Sequence, residues 1–178
     1  MNLDKLLESK KTTIVDKWFN SVIQTYAPDA AQFFKNQKDQ FHNPVGTAAR
    51  KSLDAVFSGL MAGLDPARLE PELDPLIRIR AVQDFSPSRA VSFLFDLKDI
   101  LRSSLKKELP KENLEAQLLA FERKIDQVGL LGFEIYTRCR EKILELKVST
   151  ERNKIYRAFS RAGLIAEVLE DDQDLEAS

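Results

Sequence analysis

At 178 residues, the chain is long enough to bury the core of one domain without help from a disulfide or a metal. Its 27 basic and 28 acidic side chains leave a net charge of -1, which excludes a global electrostatic attraction to nucleic acid or to a membrane. The charged fraction of 31%, with only six glycines and seven prolines, is typical of a soluble, helix-rich protein.

No stretch of the sequence is typical of a secretory signal or a membrane span. The N-terminal residues lack an uninterrupted apolar segment with a small-residue cleavage site. No apolar run approaches the roughly 20 residues that a membrane helix needs. The single cysteine, Cys139, cannot form an internal disulfide, so we expect a cytoplasmic protein in which Cys139 is a small core residue or a redox-sensitive thiol.

Apolar residues recur at helical spacing through the first part of the chain. One helix begins after Asn2, a candidate N-cap, and ends near Pro28. Residues 30–37 are compatible with one or two further helical turns. The next helix has Asn43 as its candidate cap and Pro44 at its first position.

The second part of the chain has similar helix signals. A loop precedes a helix over about residues 72–83, and Ser86 followed by Pro87 predicts that another helix restarts there. After Pro110, a last helix continues to about Leu169. Because alternating strand patterns and hairpin signals are absent, the sequence predicts an all-α bundle of five to seven helices, with a long C-terminal helix and a globin-like arrangement as one option.

These elements divide the chain into a helical domain (residues 1–110), a helical extension (111–169) and an acidic tail (170–178). The extension carries apolar residues at near-heptad steps, although Glu151 interrupts their line. We predict either that this stripe folds back onto the bundle or that two copies pair along it in a homodimer. The candidate seam residues are Leu144, Val148, Ile155, Phe159 and Leu169.

Catalytic and metal-binding motifs are absent from the sequence. His42 is the single histidine, so multi-histidine metal sites and the HExxH pattern are excluded, and neither GxGxxG nor GxxxxGK[ST] occurs. We expect no enzymatic activity, no metal and no cofactor. His42 precedes a helix at a turn, which favours an exposed or capping residue over the alternative of a haem ligand.

Arg80 is the residue that most needs an explanation. It shares one helical stripe with Leu73, Leu76 and Ile77, and Val82 helps to form a second apolar face. A buried guanidinium is costly unless it is paired or surrounded by carbonyl groups. We therefore predict a structural ion pair with Asp84 or Asp96, or several carbonyls around Arg80. The alternative is an anion or small-ligand pocket formed by Arg78, Arg80 and Arg89 near the helix start at Ser86.

Three stretches carry a resemblance to a known family. The run IRIRAVQDFSPSRAVSFLFDLK (77–98), with NPVG (43–46) and the helix around Trp18, resembles the N-terminal domain of RsbRD-type RsbT co-antagonist proteins. The resemblance covers roughly residues 8–105. It implies an all-helical sensory or regulatory domain of stress signalling, similar in role to the haem-free globin-like domains of the stressosome, and it supplies no catalytic residues.

In those proteins the domain usually precedes a phosphorylatable STAS domain, whereas this sequence has only helix signals after residue 110, so their phospho-switch is not carried over. The sequence therefore predicts a non-enzymatic sensory or regulatory module of bacterial signalling that binds a protein partner and forms a homodimer. The alternative is a small-ligand- or haem-binding protein of globin-like shape. We expect neither nucleic acid nor membrane as a partner, because acidic residues follow the basic side chains of residues 152–161.

Overall fold

The computed structural model describes residues 2–37, 41–83, 85–112 and 114–163, and every regular element in these ranges is helical. This confirms the prediction of an all-α bundle with a long C-terminal helix. A 3-10 turn at Pro66–Leu69 precedes the fourth helix. The helices are α1 (Leu3–Ile23), α2 (Pro28–Asn36), α3 (Pro44–Met61), α4 (Glu70–Val82), α5 (Pro87–Leu105), α6 (Leu109–Glu112) and α7 (Glu115–Arg161).

The predicted N-caps fix the starts of three helices. The side chain of Asn2 accepts a hydrogen bond from Lys5 N at 3.1 Å. Asn43 accepts from Gly46 N at 2.8 Å. Ser86 accepts from the backbone N–H of the third residue of α5 at 3.4 Å. Each side-chain oxygen satisfies an amide that has no partner within its own helix, so the chain enters α1, α3 and α5 where the sequence predicts.

Helix α4 begins earlier than predicted, at Glu70 rather than near residue 72. Pro71 lies in its first turn, where a missing N–H costs nothing, and the preceding 3-10 turn leads directly into the helix. Pro75 lies inside α4, where it removes one backbone hydrogen bond without ending the helix. Both prolines are therefore part of the helix.

The core lies in a compact unit that comprises Met1–Glu141. Within it α3 packs on α1 and α4, and α1 also packs on α5. Trp18 of α1 is buried and donates its indole N–H to the carbonyl of Phe93 at 2.7 Å. The first part of α7 belongs to this unit, and Gly132 allows a close approach because a Cβ atom there would collide with Leu94.

The second apolar face predicted for α4 is wrong at Val82, which is 65% exposed. The stripe that includes Leu73 and Ile77 is fully buried, so α4 buries one face only. Val82 occupies the last residue of the helix, on its solvent side. An apolar residue at such a position is ordinary, because much of a protein surface is apolar.

The second unit comprises Lys142–Ser178, and the structure describes it as far as residue 163. Its described part is the end of α7, in which nearly every side chain is exposed. The predicted tail over residues 170–178 lies outside the described residues. The predicted domain boundary at residue 110 stays a prediction, as does a globin-like arrangement. Within the described ranges, each helix is too short or too polar to span a bilayer.

Candidate functional site

Arg80 is the most unusual residue of the core, because its side chain is fully buried among apolar neighbours. It lies in the last turn of α4, directly before the turn that leads into α5. The apolar stripe of α4 carries its stem inward, and the guanidinium meets the first turn of α5. The sequence pattern therefore predicts the burial of Arg80 correctly.

Carbonyl and hydroxyl oxygens surround the guanidinium of Arg80. Its Nε donates to the carbonyl of Ala90 at 2.9 Å, and its Nη2 donates to the carbonyl of Arg89 at 2.7 Å. Its Nη1 donates to the hydroxyl of Thr25 at 3.0 Å. Of the alternatives that the sequence leaves open, the described residues show the group of carbonyls, and no described carboxylate contacts the buried charge.

The two predicted carboxylate partners are placed differently. Asp84 lies outside the described residues. Asp96 is described, and it does not form an ion pair with Arg80. Its negative charge still raises the pKa of the guanidinium from a longer distance. Burial lowers the pKa of Arg80, and the neighbouring Tyr26 is the largest influence in the opposite direction.

Three aromatic rings complete the surroundings of Arg80. The guanidinium carbon lies 4.2 Å from the ring centroid of Phe85, 5.2 Å from that of Phe93 and 5.5 Å from that of Tyr26. Such distances allow an attraction between the cation and the electron-rich ring faces. We call Arg80, Thr25, Tyr26, Phe85 and Phe93 the Arg80 cluster.

Phe85 lies close to two guanidinium groups, because that of Arg89 is also near, at 5.3 Å from the ring centroid. Arg89 donates to the carbonyl of Thr25 at 3.0 Å, so both arginines contact the same residue after α1. The hydroxyl of Tyr136 donates to the carbonyl of Phe85. Contacts from α1, α5 and α7 therefore fix the turn between α4 and α5.

Tyr26 has an unusual polar group in this cluster. Its hydroxyl oxygen is buried and has no hydrogen-bond partner among the described residues. Burial raises the pKa of Tyr26, and the positive charge of Arg80 partly opposes this shift. The ring packs edge-on against Phe34 at 5.1 Å and Phe85 at 5.2 Å. Tyr26 therefore contributes ring packing to the cluster, and its hydroxyl interacts electrostatically with Arg80.

The residues predicted to form an anion or ligand pocket already have partners within the protein. Arg78 is exposed and binds Asp74 on its own helix, at 3.1 and 2.9 Å. Ser86 caps α5, all three nitrogens of the Arg80 guanidinium donate to protein oxygens, and Nη2 of Arg89 donates to the carbonyl of Thr25. These contacts join neighbouring helices, and a ligand site at this position stays a prediction.

Sequence reasoning did not identify Thr25, Tyr26, Phe85 and Tyr136 as neighbours of Arg80. Thr25 precedes Arg80 by 55 residues and Tyr136 follows Phe85 by 51, so no local pattern connects them. The one usable signal was the aromatic residue directly before the cap at Ser86. An aromatic ring at that position can pack on the helix that the cap begins.

His42 and Cys139, two further residues singled out in the sequence, lie outside the Arg80 cluster. His42 is exposed in the turn before α3, as predicted for a surface residue. Cys139 packs against the core while partly buried, and burial raises the pKa of its thiol. A raised pKa lowers the thiolate fraction at neutral pH, so the environment favours the packing interpretation over a redox-sensitive thiol.

The predicted dimer seam is exposed in the single chain. Leu144, Val148, Ile155 and Phe159 have 56%, 57%, 55% and 48% of their surface exposed. Leu169 lies outside the described residues. The carboxylate of Glu151, which interrupts the stripe, forms an ion pair with Lys154 one turn later at 2.7 Å. The described part of this helix therefore presents an uncovered apolar stripe.

Comparison with known proteins assigns the chain to a family. The family described as RsbT co-antagonist protein rsbRD N-terminal domain matches residues 12–148. The chain belongs to this family. The match confirms the resemblance carried by residues 77–98, and it continues past residue 110 into much of α7. RsbRD N-terminal domains are regulatory domains of signalling proteins, so the broad part of the predicted function is confirmed.

The comparisons with curated proteins and with solved structures add little about function. A protein from Archaeoglobus fulgidus, named only as an uncharacterized protein, is 31% identical over 103 residues. The alignment covers 57% of this chain and 62% of that relative. No solved structure matches the chain.

Proposed function

We propose that this RsbRD N-terminal domain is a non-enzymatic sensory module that forms a homodimer and regulates a protein partner through helix packing. The observation that carries the proposal is the uncovered stripe at the end of α7, in a chain whose family consists of signalling regulators. Four large apolar side chains, each about half exposed, repeat on one side of the helix. Pairing with a second copy would remove them from water.

The charge of Glu151 is the main obstacle to pairing along this stripe. Its ion pair with Lys154 partly offsets the charge before any second copy arrives. A single polar residue within an apolar seam lowers stability but helps to fix the register of the paired helices. We therefore expect a dimer of modest affinity with one register.

Sedimentation equilibrium of the purified chain tests the dimer. Ile155→Glu should shift the protein to a monomer, because it places a charge in the centre of the stripe. Asn153→Glu is the matched control, since it adds the same charge to the same helix about half a turn away and should leave the dimer intact. A monomeric wild-type chain at high concentration, or equal effects of both variants, would contradict the seam.

The regulatory role needs its own test, independent of the dimer. Isotope-labelled chain can be titrated with purified candidate regulators from the same cell, with chemical shifts of the backbone amides as the readout. We expect shifts grouped on one surface of the domain and a matching loss of binding in a variant of that surface. Catalytic turnover of the partner by the chain alone would count against a non-enzymatic module.

A further inference from the structure

A cleft between α1, α2 and α3 has no role in the Arg80 cluster or in the seam. It has a volume of about 560 Å³, within the range of about 300–1,000 Å³ that small-molecule sites occupy. We call it the α1–α3 cleft. Its apolar wall includes Phe19 of α1 and Phe34 of α2, and its cationic side includes Lys35, Arg50 and Lys51.

The two lysines of the cleft are available for a ligand. Neither Lys35 nor Lys51 forms an ion pair or a hydrogen bond with any described residue, whereas Arg50 pairs with Asp16 at 2.5 Å. Asp54, the acidic residue of the lining, is itself paired with Lys11 at 3.2 Å. The cleft therefore carries an excess of positive charge that the described residues do not neutralise.

The walls of the cleft are held in place before any ligand binds. The guanidinium of Arg50 stacks over the ring of Phe19 at 4.4 Å. Asn43 bridges two helices, because its amide nitrogen donates to the carbonyls of Phe34 at 2.9 Å and Gln37 at 2.7 Å while its oxygen caps α3. A preformed site avoids the cost of ordering its side chains on binding.

We propose that the α1–α3 cleft binds a small aromatic carboxylate, with the aromatic body against Phe34 and the stacked pair of Phe19 and Arg50, and with the carboxylate at Lys35 and Lys51. The ring of Phe34 and the guanidinium stacked on Phe19 supply contact area for an aromatic body. Two ammonium groups that have no partner among the described residues supply the charge that selects a carboxylate over a neutral analogue. The proposal deepens the sensory role proposed above, since it names the chemical class of the signal and the site that receives it.

Titration of the isotope-labelled chain with 1-naphthylacetate tests the site. The readout is the chemical shifts of the backbone amides, and 2-(1-naphthyl)ethanol is the neutral control ligand. We expect saturable shifts at the amides of Thr47, Arg50 and Lys51, and binding of the alcohol that is at least severalfold weaker. Lys51→Met should weaken binding of the carboxylate about threefold to fivefold, the range for an exposed charge contact. The matched variant Lys147→Met, on α7, should bind like the wild type.

A second variant guards against an indirect effect on folding. Thr47→Trp fills the cleft from α3, and it should abolish the shifts while the thermal unfolding curve stays cooperative. The proposal is overturned if carboxylate and alcohol bind equally well, if Lys51→Met has no effect, if the shifts lie elsewhere, or if no binding occurs at millimolar probe. A monomeric chain would defeat the proposed dimer without altering this titration, so the two failures are distinguishable.

Discussion

Replacing Arg80 by methionine removes both its charge and its hydrogen bonds, whereas replacing it by lysine keeps the charge and removes the planar set of donors. Comparing the two variants therefore separates the contribution of the hydrogen bonds from that of the charge. Methionine keeps most of the apolar stem but removes the three hydrogen bonds of 2.9, 3.0 and 2.7 Å. Hydrogen bonds from a charged donor contribute about 1.5–3 kcal/mol each, and burying the charge costs several kcal/mol. Because these contributions oppose each other, we expect Arg80→Met to lower the free energy of unfolding by about 1–3 kcal/mol.

Lysine keeps the charge but loses the planar arrangement of donors that reaches two carbonyls and a hydroxyl. Arg80→Lys therefore retains the cost of desolvation with fewer hydrogen bonds, and we expect it to be less stable than Arg80→Met at pH 7. Burial would depress the pKa of this lysine in the folded state, so the unfolded chain would bind more protons. The stability of Arg80→Lys should then rise with pH up to the unfolded pKa of about 10.4.

Urea unfolding of both variants and of the wild type, followed by circular dichroism at pH 7 and pH 9, measures these differences. The methionine variant is the control for the pH dependence, because it has no titratable group at this position. The reasoning is refuted if Arg80→Lys is more stable than Arg80→Met at pH 7. It is also refuted if the difference between the two variants is the same at both pH values.

Three further substitutions test other parts of the bundle. Asn43→Ala removes the cap of α3 and two bonds to the end of α2, and should cost about 1–2 kcal/mol in urea unfolding; an unchanged midpoint would speak against the cap. Gly132→Val forces a side chain against Leu94, and should cost about 1–3 kcal/mol, seen as a lower melting temperature; an equal or higher one would contradict close packing of α7. The hydrogen bond from Lys10 lowers the pKa of Glu108 in the folded protein. The ionised carboxylate therefore stabilises the fold at pH values above its usual pKa of 4.5, and this stabilisation is lost as the pH falls through the lower pKa of the folded state. Glu108→Gln should flatten this acid dependence in thermal unfolding, and an identical pH profile would exclude the contribution.

Much of the fold follows from local sequence signals. Asn43 and Ser86, each followed by proline, fix the starts of α3 and α5, because capping and the restricted φ of proline act within one turn. Helix α4 starts two residues before the predicted position, because Pro71 is accommodated in its first turn and the preceding 3-10 turn leads directly into it. Local signals locate helices well where one residue decides the boundary.

The surroundings of Arg80 are a different kind of problem. The pattern of α4 predicts that Arg80 is buried and needs oxygen partners, and the structure shows such partners. The pattern cannot identify Thr25 or Tyr26, because their contact with Arg80 depends on how α1 packs against α5. The α1–α3 cleft was missed for the same reason, since its lining comes from three helices whose packing no local pattern specifies.

The contacts around Phe85 indicate which part of the bundle resists change. The guanidinium groups of Arg80 and Arg89 lie close to this ring, and both donate hydrogen bonds to Thr25. Further along the same interface, the indole N–H of Trp18 donates to a carbonyl of α5. Buried or partly buried hydrogen bonds thus fix the contact between α1 and α5 at two positions along the helices. A shift of α1 against α5 would break several of them at once. A signal that the domain transmits is therefore expected to act elsewhere than at this contact. The α1–α3 cleft, where Lys35 and Lys51 have no partner among the described residues, is the candidate site for it.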